Sequence, residues 1–132
     1  VGVARKLEEY MSQNPLNLAV RFLLEIVALI ALGYWGWTWG QGALGYVLAV
    51  GVPVLAAVLW GVFAVPGDRS RSGDAPVPVP GWLRLLLELA LFGFAVWGLW
   101  DAGAAAPAWI LGGVVLLHYG LSYDRILWLL KH

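Results

Sequence analysis

Apolar residues fall into four long runs, 16–37, 43–65, 82–100 and 107–123, with few polar positions inside them. The last run meets Asp124 and Arg125 and then resumes as ILWLL. A helix crossing the hydrocarbon layer needs about 20 mostly apolar residues, so each run predicts a span. The fourth is expected to continue to about residue 130, its last turns lying at the membrane surface. Backbone groups in lipid must satisfy one another, and long runs without alternation exclude a barrel of short strands. The predicted fold is an all-α integral membrane protein with four transmembrane helices.

The runs are related in pairs. A shift of 63 residues lays Pro15 on Pro78, Arg21 on Arg84, Leu23 and Leu24 on Leu86 and Leu87, Glu25 on Glu88, and Trp37 on Trp100, with Gly45 opposite Ala108. The shift carries one two-helix hairpin onto the next. Two hairpins that each cross the membrane twice point the same way, which predicts a parallel repeat about an axis along the membrane normal. The chain accordingly divides into an interfacial extension (1–13), a first hairpin (14–65), a proline-rich linker (66–81) and a second hairpin (82–132).

Two turns inside the repeat carry charge, RFLLE at 21–25 and RLLLE at 84–88. Within one helix, Arg followed by Glu at i+4 is the poorer order for an ion pair. Helices facing each other across the axis would instead let Arg21 meet Glu88 and Arg84 meet Glu25, a closed and neutral ring. Ionisable residues inside a membrane are costly and are functional candidates. His118, Ser122 and Arg125 follow at i, i+4 and i+7, so they share a face of the fourth helix. Tyr119 and Asp124 lie at the same depth. Arg21, Glu25, Arg84, Glu88, His118, Tyr119, Ser122, Asp124 and Arg125 are the candidate ligand or ion site, with His118 and Tyr119 at its entrance. Pro53, in the middle of the second run, is a candidate hinge or kink. Gly36-x-x-x-Gly40 and Ala57-x-x-x-Gly61 are small-residue patterns compatible with close helix packing.

Charge sets the direction of insertion. All eight basic residues flank the start of the first run, the 2–3 connection or the chain end, and the two other loops contain none. Basic residues collect in the cytoplasm, so both termini are expected there. Tyr34, Trp35, Trp37, Trp39, Tyr46, Trp97, Trp100 and Trp109 gather at the outer ends, and Trp60, Phe63, Trp82 and Trp128 at the inner ends, as headgroup-level belts. At the N-terminus, Val3, Leu7 and Tyr10 have the spacing of a short interfacial helix. Met11 could equally be a true start.

Composition narrows the chemistry. The chain is 61% hydrophobic and 12% charged, against roughly 25% charged in ordinary soluble domains. A net charge of zero gives nucleic acid no basis for binding. The absence of cysteine excludes thiol catalysis and disulfides. One histidine within the spans makes no metal or haem site, so neither metal nor cofactor is expected. No nucleophile–base set or phosphate loop is present, and no enzyme activity is expected.

The segments NPLNLAVRFLLE, ALGYWGW, GVPVLAAVLWGVFAVP and PGWLRLLLELALFGFA, together covering much of 14–123, resemble the YrdB family of small bacterial and archaeal membrane proteins with four predicted helices. The N-terminal extension and the tail DRILWLLKH depart from that pattern. The resemblance implies the fold and a prokaryotic plasma membrane, and no activity. Two readings follow. One is a membrane protein binding or transporting a small molecule or ion through the Arg/Glu/His cluster. The other is a structural or assembly protein whose cluster only stabilises the bundle. The expected partners are the lipid bilayer, that ligand and further copies of the chain.

Overall fold

A computed structural model describes residues 15–68 and 75–132. The interfacial helix expected over Val3, Leu7 and Tyr10, and the linker arginines Arg69 and Arg71, lie outside the described residues. The elements run α1 (Pro15–Gly40), α2 (Gly42–Val62), β1 (Phe63–Ala64), β2 (Val77–Pro78), α3 (Gly81–Asp101), α4 (Ala105–Leu121) and α5 (Tyr123–Lys131). The chain is a predominantly helical membrane protein. α1, α2 and α3 are each long and apolar enough to span a bilayer, and α4 with α5 makes a fourth pass if that bent pair counts as one.

Large apolar side chains on every long helix face outward, among them Ile30, Val50, Leu86 and Leu116. In lipid such a surface needs no cover, and the helices are held by close packing and polar contacts instead. The interior is correspondingly small: Leu24, Ala28, Ala31 and Leu32 of α1 meet Ala56 of α2, Phe92 and Ala95 of α3, and Leu111 and Val115 of α4. α1 and α3 form the central pair, with α2 packed on α1 and α4 on α3.

α1 and α2 approach each other closely through their backbones. A Cβ added to Gly36 would fall 2.6 Å from the Leu48 carbonyl oxygen. The Gly36-x-x-x-Gly40 pattern is therefore a packing surface. Gly61 faces open space, so the Ala57-x-x-x-Gly61 pattern is not. α2 continues as a helix through Pro53. The Pro53 ring lies against Gly33 of α1, 3.6 Å from where a Cβ there would sit.

α1 and α3 run side by side in the same direction. Arg21 meets Glu88 at one end of the pair, and Trp35 donates to Asp101 over 3.0 Å at the other. That hydrogen bond and ring contacts with Phe94, Trp97 and Trp39 give Trp35 partners inside the protein. Trp39, Tyr46, Trp97, Trp100 and Trp109 remain exposed.

Two expectations change here. The second run ends as a helix at Val62, not at 65: residues 63–64 extend and pair in parallel with 77–78, and Val79 donates to the Ala64 carbonyl. The last part of the linker thus lies alongside the residues that follow α2. The fourth run is not one continuous helix. It breaks at Ser122, where α4 and α5 meet at 69°. The Ser122 amide is shared between the carbonyls of His118 and Tyr119, a tightened last turn. α5 then crosses the start of α3 so closely that a Cβ on Gly81 would overlap the Leu129 carbonyl.

Candidate functional site

Glu88 is the centre of the polar cluster. It is fully buried, at 0% exposure, on the face of α3 turned toward α1 and α4. Three arginines from three helices converge on it. Arg84, one turn earlier on α3, donates Nε to Oε2 over 2.8 Å. Arg21 of α1 brings Nη2 to 3.0 Å from the same oxygen. Arg125 of α5 grips both carboxylate oxygens, Nη1 to Oε1 over 2.8 Å and Nη2 to Oε2 over 2.7 Å. Tyr119 of α4 donates its hydroxyl to Oε1 over 2.7 Å. The bidentate pair and the charge-assisted bonds are the strong kind. A lone buried carboxylate would cost many kcal/mol, and here its lone pairs are saturated.

Each arginine has a second task. Arg84 donates Nη1 to the carbonyls of Trp60 and Phe63 at the end of α2, the latter over 2.8 Å. These are carbonyls that a helix C-terminus leaves without partners, so Arg84 caps a neighbouring helix. Its guanidinium also lies 4.7 Å from the Trp60 ring centre, with that of Arg21 at 5.5 Å. Arg125 holds Asp68, just past α2, with Nη2 to Oδ2 at 2.6 Å and Nε to Oδ1 at 3.3 Å. Arg21 keeps a looser pair with Glu25, Nε to Oε1 at 3.4 Å. Three arginines thus face three carboxylates, and α1, α2, α3 and α5 are tied through one charge-balanced network.

This corrects the expected symmetric ring. Arg21 does reach Glu88. Arg84 makes no ion pair with Glu25 among the described residues, because its guanidinium is spent on its own Glu88 and on the end of α2. Glu88 carries a network, while Glu25, in the matching position, has a side chain 26% exposed. Tyr119 is buried against Glu88 and does not form an entrance. The 69° bend separates the His118, Ser122 and Arg125 side chains that one straight helix would align. Ser122 accepts from Asn17 Nδ2 over 3.0 Å, and Arg125 turns to Glu88. Asp124 is half-buried on α5. From beyond the apolar runs, Asp68 reaches Arg125.

Sequence reasoning missed Asp68, Asn17 and the placement of Trp60 under two arginines. Nothing local marks Asp68, since it stands 57 positions from Arg125. Trp60 has the same sequence signature as a belt residue.

Two openings flank the cluster. A cleft of about 240 Å³ between α1, α2 and α3 is lined by Phe22, Ile26, Leu29, Ala57, Trp60 and Phe92, with Glu25 as its acidic group. A groove of about 260 Å³ between α1 and α4 is lined by Leu16, Asn17, Val20, Val114, Leu117, His118 and Leu121. No group of three or more His, Asp or Glu residues that could hold a metal occurs among the described residues.

The family model DUF2568, described as a protein of unknown function, matches residues 19–116. The uncharacterized protein YrdB of Bacillus subtilis (strain 168) is 42% identical over 118 residues, 89% of this chain and 96% of the relative. No solved structure matches.

Proposed function

This chain belongs to the DUF2568 family, and we propose that it binds a small organic cation with an apolar body, in the cleft that Glu25 serves between α1, α2 and α3. The observation that carries this reading is the difference between two equivalent glutamates. Glu88 is sealed and saturated by three arginines and a tyrosine. Glu25 is partly exposed, lines an otherwise apolar cleft, and shares a single arginine that is held more tightly elsewhere. A carboxylate with spare acceptor capacity beside aromatic and aliphatic walls suits a lipophilic cation. Glu88, Arg84, Arg125 and Asp68 then act as the rigid support that holds this face open.

The proposal includes the wider arrangement. The two hairpins are copies related by the 63-residue shift, inserted with the cluster end and both termini toward the cytoplasm of a prokaryotic cell. Arg21 and Arg84, Gly45 and Ala108, and Ala56 and Tyr119 are all buried in both copies, and this supports the duplication. The basic residues flanking the cluster end support the orientation.

A second reading is favoured by the saturation of Glu88: the whole cluster is a lock that holds the helices, and binds nothing. Titration of tetraphenylphosphonium into the protein in lipid nanodiscs separates the two. Saturable binding that weakens at least roughly tenfold in Glu25→Gln, with unchanged melting, supports the cleft; the charge-assisted bond lost is of that size. Equal affinity for the similarly sized anion tetraphenylborate, or equal phosphonium binding by Glu25→Gln, overturns it. Loss of folding in Glu25→Gln favours the lock.

A further inference from the structure

On the far side of α1 from the Glu25 cleft, the groove between α1 and α4 contains one feature that neither reading uses. His118 is 4% exposed, and neither of its ring nitrogens has a hydrogen-bond partner among the described residues. Its ring meets Tyr119 edgewise, at 5.7 Å between centres. Buried imidazoles are ordinarily bonded on at least one side, and an unpaired buried polar group costs about 1–3 kcal/mol. His118 lines the groove whose other walls are Leu16, Val20, Val114, Leu117 and Leu121, with Asn17 beside it. Leu16, Leu117 and Leu121 are exposed on the outer surface of the helices, so the groove opens toward lipid.

We propose that this groove is a binding site for a single-chain amphiphile with a neutral hydroxyl head, taken from the membrane. Three features define that occupant. A neutral imidazole offers a donor at one ring nitrogen and an acceptor at the other, and a hydroxyl, able to donate or to accept, pairs with whichever of them faces the groove. The aliphatic walls fit an alkyl tail. The groove's lining holds no Asp, Glu, Lys or Arg, so a charged head would lie there without a counter-charge. Asn17 does not compete for His118, because its amide is directed to Ser122 across the helix break.

The test uses the full chain in phospholipid vesicles and a diazirine-bearing long-chain alcohol, with crosslinks mapped by mass spectrometry. Saturable labelling of the 16–20 and 114–121 segments is expected. Dodecanol should compete roughly ten times better than dodecylammonium or dodecyl sulfate. His118→Leu should reduce labelling roughly tenfold, about the worth of the hydrogen bond removed, whereas His118→Gln, which keeps a donor and an acceptor, should retain most of it. Leu117→Trp keeps the histidine but fills the groove, and should abolish labelling even if His118→Leu fails to fold. Undiminished labelling in a folded His118→Leu or in Leu117→Trp, or equal competition by the charged amphiphiles, overturns the proposal and leaves only an ordinary lipid-filled crevice. Glu25→Gln should leave labelling unchanged, so the result stands or falls apart from the cation cleft.

Discussion

Arg21 of α1 sits closer to Glu88 of α3, 3.0 Å, than to Glu25 on its own helix, 3.4 Å. The contact joins the two central helices, and its neighbours decide how it responds to change. In a symmetric ring, exchanging the two charges would restore the pair. Here a Glu88→Arg side chain would stand against Arg84 and Arg125, and an Arg21→Glu side chain would lose its place beside Glu25. The double exchange Arg21→Glu/Glu88→Arg should therefore remain as poorly folded as Glu88→Arg alone, measured by monodisperse yield and melting in detergent. Rescue to wild-type melting would restore the ring.

Removing the central charge leaves three buried guanidiniums facing one remaining network carboxylate and the looser Glu25. Glu88→Gln should cost about 3–5 kcal/mol, the usual price of breaking a buried ion pair from one side. Tyr119→Phe removes one hydrogen bond and leaves the charges paired, so about 1–2 kcal/mol is expected. Unfolding under matched detergent conditions measures both, and comparable losses would deny Glu88 its central place.

Asp68→Asn should act locally. Arg125 keeps its two bonds to Glu88 but loses the carboxylate that ties α5 to the end of α2. Amide exchange should rise across 123–131 and around 63–68, with little change in α1 or α3. Uniform exchange acceleration through the whole chain would mean that Asp68 supports the bundle globally.

Gly36 is where α1 and α2 touch through their main chains. Gly36→Val would drive a branched side chain into the Leu48 carbonyl, and melting should fall sharply. Gly61→Ala, on α2 where the added carbon meets open space, should be neutral or mildly stabilising through higher helix propensity. Equal effects of the two substitutions would show that the close approach is unimportant.

Much of this molecule was readable in one dimension. Apolar runs of spanning length define helices because lipid leaves the backbone no other way to satisfy itself. The RFLLE and RLLLE turns marked Arg21, Glu25, Arg84 and Glu88, since charge within such a run needs a reason. The Gly36–Gly40 spacing marked a packing face. These signals are local, and local chemistry is what a sequence displays. Which carboxylate each arginine takes depends on groups brought together from 31 to 57 positions apart, as Tyr119, Arg125 and Asp68 are. The break at Ser122 turns Arg125 inward and leaves His118 facing a groove. Two similar turns thus meet different surroundings: Arg84 reaches the open end of α2, Arg21 crosses to Glu88, and Glu25 keeps the looser Arg21 contact and the Trp60 side chain. Only the folded chain could decide that, because the competition is among neighbours that packing alone selects.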